Sequence, residues 1–395
     1  MNKKKKPKEE SLQKDDKILN KKIKNSELIL EDEKIDNDEY SKKDEIDNIN
    51  INNFRTNPIY LTESIDLVQD SYMFDNYNNN DTFCLFESID NIFYLIYSNN
   101  NKSIISFNII DNKKINEIKN AHIYHITQFR HFLDQANQRD LILSISLDRN
   151  IKIWNINKIE CILNLNNIYK NGNINSACFL NNNGEILITT SNYIYYYEEN
   201  DNNCIKVYNL KGDKIKDIND SKENIYFIDT YYDDKKDTNY IIITTKKYIK
   251  SYNYNLNELY HKYYKKIDNK YKQPEYKYIT MSNFTKTLKI IESTNFGNIR
   301  IWDFHSGRLL KKIIVNINKL NGICLWNKKH LLACGYSIAI IKLRLDVLDT
   351  ENCKFLSTEF DTLSNIKKFI HPKYGECLII QGTDNYIRLF KKKEI

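Results

Sequence analysis

LILSISLDRNIKIWNI, running from Leu141 to Ile156, is the most regular segment of this chain and the key to its architecture. Leu141, Leu143 and Ile145 alternate with Ile142, Ser144 and Ser146. After the polar run Asp148-Arg149-Asn150, Ile151 and Ile153 alternate with Lys152 and Trp154. Successive side chains on a strand point to opposite faces, so this pattern predicts two strands joined by a tight turn.

Weaker copies of the unit recur along the chain. Searching for an apolar or aromatic residue in the part of Trp154, preceded by strand alternation and a turn, gives seven anchors: Phe107, Trp154, Tyr208, Tyr252, Trp302, Leu343 and Phe390. Their spacings run from 41 to 54 residues, which brackets the period of roughly 40–45 residues of a four-stranded repeat, with insertions. Each carries a similar phrase, as in Ile205-Lys206-Val207-Tyr208-Asn209 or Ile299-Arg300-Ile301-Trp302-Asp303, and apolar strands such as Tyr240–Thr245 and Cys377–Gln381 come before them.

The order Ser-x-Ser-x-Asp-x-Asn-Ile-Lys-Ile-Trp-Asn resembles the second half of a WD40 repeat, with Ala121-His122 standing where that family has its Gly-His pair. Trp302-Asp303 is the one true Trp-Asp pair among the anchors. The resemblance is strong in copies two and five and weak in four and six. It implies an all-β, WD40-like β-propeller of seven blades, each of four antiparallel strands; the degenerate copies leave six or eight open. The last copy ends at Phe390 without an outer strand, whereas PIYLTESIDLVQ (58–69) alternates before the first. In a ring, that N-terminal strand completes the last blade and removes an unpaired edge. The expected organisation is a disordered charged tail over 1–55, the propeller over 56–392, and a short end at 393–395.

Composition bounds the rest. With 41% hydrophobic residues, 29 Tyr and 17 Phe, the 395-residue chain can bury a large core. Gly (9) and Pro (4) are scarce for a turn-rich fold, so Asn is expected in the turns, since it tolerates left-handed backbone angles. Residues 1–50 hold 13 Lys against 14 acidic residues and few apolar ones, which favours disorder; Lys3–Lys6 with Pro7-Lys8 resembles a short nuclear-import signal, although compositional bias in a solvated terminus is the favoured reading. The eight Cys stand singly, with no CxxC or CxxH spacing, so neither a zinc site nor another metal or cofactor is expected. No leader-like apolar run opens the chain and no run approaches a bilayer span, so no membrane insertion is expected and the compartment read is cytoplasmic, with nuclear as the alternative. The net charge of +7 is too small to argue for nucleic acid by itself.

His122, Ser144 or Ser146, and Asp148 invite a hydrolase reading. No G-x-S-x-G elbow accompanies them. In the resembled family these positions, with Trp154, form a hydrogen-bonded set that holds a blade together, so the expected role is structural and no enzyme is expected. The resemblance further implies a platform for other proteins or peptides. Its partner face would carry the turns between second and third strands, where Arg149, Tyr193, Lys246, Lys247, Phe296 and Tyr336 fall. The competing reading is an RNA-associated propeller. It would use the charged tail together with the stretch HKYYKKIDNKYKQPEYKY (261–278), expected as an inter-blade loop, in which Lys262, Lys265, Lys266, Lys270, Tyr271 and Lys272 interleave charge with a stacking ring. Neither the partner's identity nor an oligomeric state can be read from these residues.

Overall fold

The computed structural model describes residues 59–60, 83–99, 102–166, 168–169, 173–180, 185–191, 204–219, 225–245, 248–264, 276–282, 287–294, 297–315, 320–327, 330–343, 353–356, 363–382 and 387–391. The expected tail over 1–55, the end at 393–395 and most of the strand expected over 58–69 lie outside them. Apart from one 3-10 turn at Gln135–Asn137, the described elements are all β-strands.

A short strand, β1 (Ile59–Tyr60), comes first. The first sheet follows as β2 (Phe83–Glu87), β3 (Phe93–Asn99), β4 (Ser103–Asn108) and β5 (Lys113–Ile118). The second is β6 (Ile126–Asp134), β7 (Arg139–Ser146), β8 (Ile151–Asn155) and β9 (Glu160–Leu165). The third is β10 (Asn173–Phe179), β11 (Ile186–Ser191), β12 (Cys204–Tyr208) and β13 (Lys214–Asn219). The fourth is β14 (Ile225–Asp233), β15 (Thr238–Thr245), β16 (Tyr248–Asn253) and β17 (Glu258–Tyr264). The fifth is β18 (Tyr276–Ser282), β19 (Lys289–Thr294), β20 (Asn298–Asp303) and β21 (Leu309–Ile314). The sixth is β22 (Gly322–Asn327), β23 (His330–Cys334), β24 (Ile338–Lys342) and β25 (Cys353–Leu356). The seventh holds β26 (Leu363–His371), β27 (Gly375–Gly382) and β28 (Ile387–Lys391), and its fourth strand is β1.

Within each of the first six sheets the strands lie side by side in chain order, antiparallel, as successive hairpins. In the seventh, β1 pairs with β28 through Ile59↔Leu389 and Tyr60↔Arg388. Six anchors lie on third strands of successive sheets, and the seventh, Leu343, follows β24.

The burial patterns explain why the hairpins stack. Second strands such as β15 and β19 are buried almost throughout, so both of their faces are covered. Fourth strands such as β9 and β21 are largely exposed. First strands of successive sheets lie against one another from β2 through β26. Apolar cores fill the spaces between: Ile96, Ile142 and Trp154 between the first and second sheets, and Leu143, Ile153 and Ala177 between the second and third. Val207 and Ile241 join the third and fourth, Ile242 and Trp302 the fourth and fifth, and Ile301 and Leu331 the fifth and sixth. The seventh sheet shares a core with the first through Phe83, Phe107, Phe369 and Leu389. Sixth and seventh meet at Gly322, where a Cβ would come within 3.1 Å of Cys334 Sγ and 3.3 Å of Asn365 Cα.

Asparagine takes the place of glycine in many turns: Asn91, Asn112, Asn120 and Asn257 all have positive φ. In the turns from third to fourth strand, one left-handed position is filled by Asn112, Ile159, Gly212, Asn257 and Gly307 in the first five sheets. In each case the pairing slips by one residue at the anchor.

One expectation is corrected. The ends of the stretch 261–278 are strand rather than loop: His261–Tyr264 belong to β17 and Tyr276–Tyr278 to β18. Tyr263 is buried and donates its hydroxyl to Phe304 O at 2.7 Å, so its ring is not open for stacking.

Candidate functional site

Period-two alternation puts Ser144 and Ser146 on the same face of β7, toward the first sheet. The loop leading from β5 into β6, residues 119–125, returns over that face. Trp154 Nε1 lies 2.9 Å from Ser144 Oγ, Ser144 Oγ lies 2.7 Å from His122 Nε2, and His122 Nδ1 lies 3.0 Å from Asp148 Oδ2. Indole N–H can only donate, so Ser144 Oγ accepts from Trp154, and the ionised Asp148 carboxylate can only accept from His122 Nδ1. That assigns the tautomer with the proton on Nδ1, which donates to Asp148. All four side chains are buried. Burial acts to raise the Asp148 carboxyl, but hydrogen bonds from His122, Ile123 N and Asn150 N outweigh it and hold it at about 2.

Ser146 stands outside this chain of bonds. Its hydroxyl donates to Tyr124 O at 2.9 Å and accepts from Asp148 N at 3.2 Å. The loop is clasped at further points: Ile123 N donates to Asp148 Oδ2 at 3.0 Å, Leu147 N to His125 O at 2.9 Å, His122 N to Lys102 O at 3.1 Å and Lys152 Nζ to Ala121 O at 2.6 Å. The network therefore fixes the backbone of an exposed loop. Ser144, His122 and Asp148 are connected as in a hydrolase triad, yet Ser144 Oγ is fully buried under Trp154, where no carbonyl carbon can approach it.

The fifth sheet replaces this set. Glu292 and Arg300 pair across β19 and β20 where Ser144 and Lys152 pair across β7 and β8. Their side chains, both buried, meet at 2.9 Å. Trp302 Nε1 finds no acceptor among the described residues. Asp303 instead ties the end of its hairpin, accepting from Lys289 Nζ at 2.7 Å and Ser306 N at 2.8 Å. Burial acts against its charge, yet these bonds hold the Asp303 carboxyl well below the usual range.

Of the residues expected on the partner face, Arg149 is exposed in the β7–β8 turn with φ 64°, and Tyr336 is exposed in the β23–β24 turn. They belong to the second and sixth sheets and are not brought into contact. Tyr193, Lys246, Lys247 and Phe296 lie outside the described residues, as do Lys265, Lys266, Lys270, Tyr271 and Lys272. Lys262 is exposed on β17, its ammonium 3.5 Å from the Tyr248 ring centroid.

Sequence reading missed Ile123 and Tyr124, exposed at 68% and 58% beside the network. The available signal was two large side chains directly after Ala121-His122. It also missed a second tie at the other end of β7, where fully buried Asp140 accepts from His131 Nε2 at 2.8 Å and from Ile89 N of the first sheet at 3.0 Å. The Phe86 ring stacks on His131 there, 3.7 Å between centroids.

No protein-family model matches this chain, and no curated protein matches its sequence. Among the described residues no helix is long and apolar enough to cross a membrane, and no group of three or more His, Cys, Asp or Glu side chains is placed to hold a metal ion.

Proposed function

We propose that this chain is a seven-bladed WD40-like β-propeller acting as a non-catalytic platform for other proteins. Seven four-stranded sheets, each packed on the next, support the ring reading, as does the apolar core shared by the seventh and first. The pairing of β1 with β28 is what ring closure by the N-terminal strand requires. The observation that carries the functional half is the buried Ser144–His122–Asp148 network: it is spent on fixing a loop rather than on presenting a nucleophile. Loops held on a stiff β-scaffold are where binding residues gather.

The test is affinity capture from the native cell with wild type and an Arg149→Glu/Tyr336→Ala double variant, with and without nuclease. A defined protein set that survives nuclease supports the platform, and its loss in the variant puts the site on the turns joining second and third strands. Complexes that vanish with nuclease favour the RNA-associated reading, for which Lys262 and its neighbours in sequence are then the first residues to neutralise.

A further inference from the structure

We infer that Ile123, Tyr124 and Arg149 form a docking site for an extended acidic peptide that carries apolar side chains. The inference rests on the platform reading and gives it a partner chemistry.

Ile123 and Tyr124 are 68% and 58% exposed, which leaves two large side chains in water at adjacent positions. They are not on a loose loop. Ile123 N is held by Asp148, Tyr124 O by Ser146 and His125 O by Leu147 N. A backbone fixed in advance loses little entropy on binding, so the contact energy of the two side chains goes into affinity. Arg149 is joined to the same clasp by its own N–H, donated to Ser146 O at 3.1 Å. Tyr and Arg are, with Trp, the residue types enriched where binding energy concentrates at protein interfaces.

Charge selects the partner. Lys102, whose carbonyl accepts from His122 N, Lys119 at the start of the loop and Arg149 in the clasped turn are all exposed, and none of the three meets a carboxylate among the described residues. In the segments 102, 119–125 and 147–150 the single carboxylate is Asp148, whose side chain is buried and already engaged by His122 and Ile123. Exposed cations on the segments that carry and clasp an apolar pair fit a ligand with the inverse pattern, acidic residues interleaved with apolar ones, and repel a basic one.

The probe is a fluorescein-labelled peptide alternating glutamate with leucine, read by anisotropy against the full chain. A matched peptide has lysine for glutamate. Wild type should bind the acidic peptide saturably, more weakly as salt rises, and should not bind the basic one. Tyr124→Ala and Ile123→Ala should each weaken binding tenfold or more at an unchanged unfolding midpoint. Arg149→Glu should weaken it similarly and flatten the salt dependence. Ile215→Ala, an exposed apolar residue on β13, should change nothing. Absence of saturable binding, equal binding of the basic peptide, or undiminished binding by the Tyr124 and Ile123 variants overturns the inference. If wild type captures a nuclease-resistant protein set that the acidic peptide fails to displace, the platform stands and this site falls. If no such set is captured, both fall.

Discussion

Arg300 Nε lies 2.9 Å from Glu292 Oε1, both side chains buried, on the pair of strand positions that Lys152 and Ser144 occupy in the second sheet. The second sheet thus carries a hydrogen-bond relay through Ser144 where the fifth carries an ion pair between its second and third strands. Removing one member of a buried pair strands the other charge. Glu292→Ala should therefore cost about 3–5 kcal/mol, whereas Glu292→Met/Arg300→Met should recover much of that loss. Urea unfolding of the two variants checks it. A double variant as unstable as the single one would show that the partner charge is not what makes Glu292 necessary.

Ser144 and Ser146 offer a paired comparison within one strand. Ser144→Ala leaves Trp154 Nε1 and His122 Nε2 without their shared partner and should cost about 1–3 kcal/mol. Ser146→Ala leaves the relay intact and should instead loosen the 119–125 loop. Hydrogen exchange at Tyr124 and His125 reads that second effect, and unfolding free energies read the first.

Asp148 makes stability pH-dependent with a definite sign. Its folded pKa, about 2, is depressed from the ordinary aspartate value, which is about 4 in an unfolded chain. The carboxylate thus stabilises the fold fully above pH 4, and that contribution is lost as pH falls from 4 through 2. Asp148→Asn should lower stability at neutral pH and remove part of the acid-side slope. Denaturant midpoints of wild type and variant across that window should converge as pH drops; parallel curves would contradict the assignment.

Ile159 sits at φ 57° in the turn position that Asn112, Gly212, Asn257 and Gly307 fill in neighbouring sheets. A β-branched side chain there crowds its own backbone, and the residue is 43% exposed, so little burial is lost on replacement. Ile159→Asn should stabilise the chain by about 1 kcal/mol, read from the thermal or urea midpoint.

A Cβ at Gly322 would stand 3.1 Å from Cys334 Sγ and 3.3 Å from the Asn365 backbone, so both neighbours would have to give by a few tenths of an ångström. Gly322→Ala should cost about 1–3 kcal/mol. Adding Cys334→Ala should relieve only part, because the Asn365 backbone contact remains. A double-mutant cycle measures the coupling.

Much of the fold was legible from the alternation in Leu141–Ile156 and from the spacing of its copies, because strand and turn preferences act between neighbours in sequence. Each anchor read from the sequence falls on, or one residue beyond, the third strand of a sheet. The stretch 261–278 misled because its lysines and tyrosines look like solvated loop. At its described ends the environment is set by ladder pairing, Tyr248↔Tyr264 and Ile249↔Tyr263 with β16 and Tyr276↔Thr294 with β19.

Preferences acting between chain neighbours thus suffice for the hairpin repeat, the face on which Ser144 and Ser146 stand, and the acidic turn beside them. Which serine completes the relay was beyond such preferences: two residues on one face are equivalent to a period-two pattern, and only their depth under Trp154 and under the returning 119–125 loop separates them. The same holds for Ile123 and Tyr124. Their exposure, and the rigidity of the backbone that presents them, come from hydrogen bonds spanning more than twenty residues, and such partners are chosen by the packing of sheets rather than by neighbours along the chain.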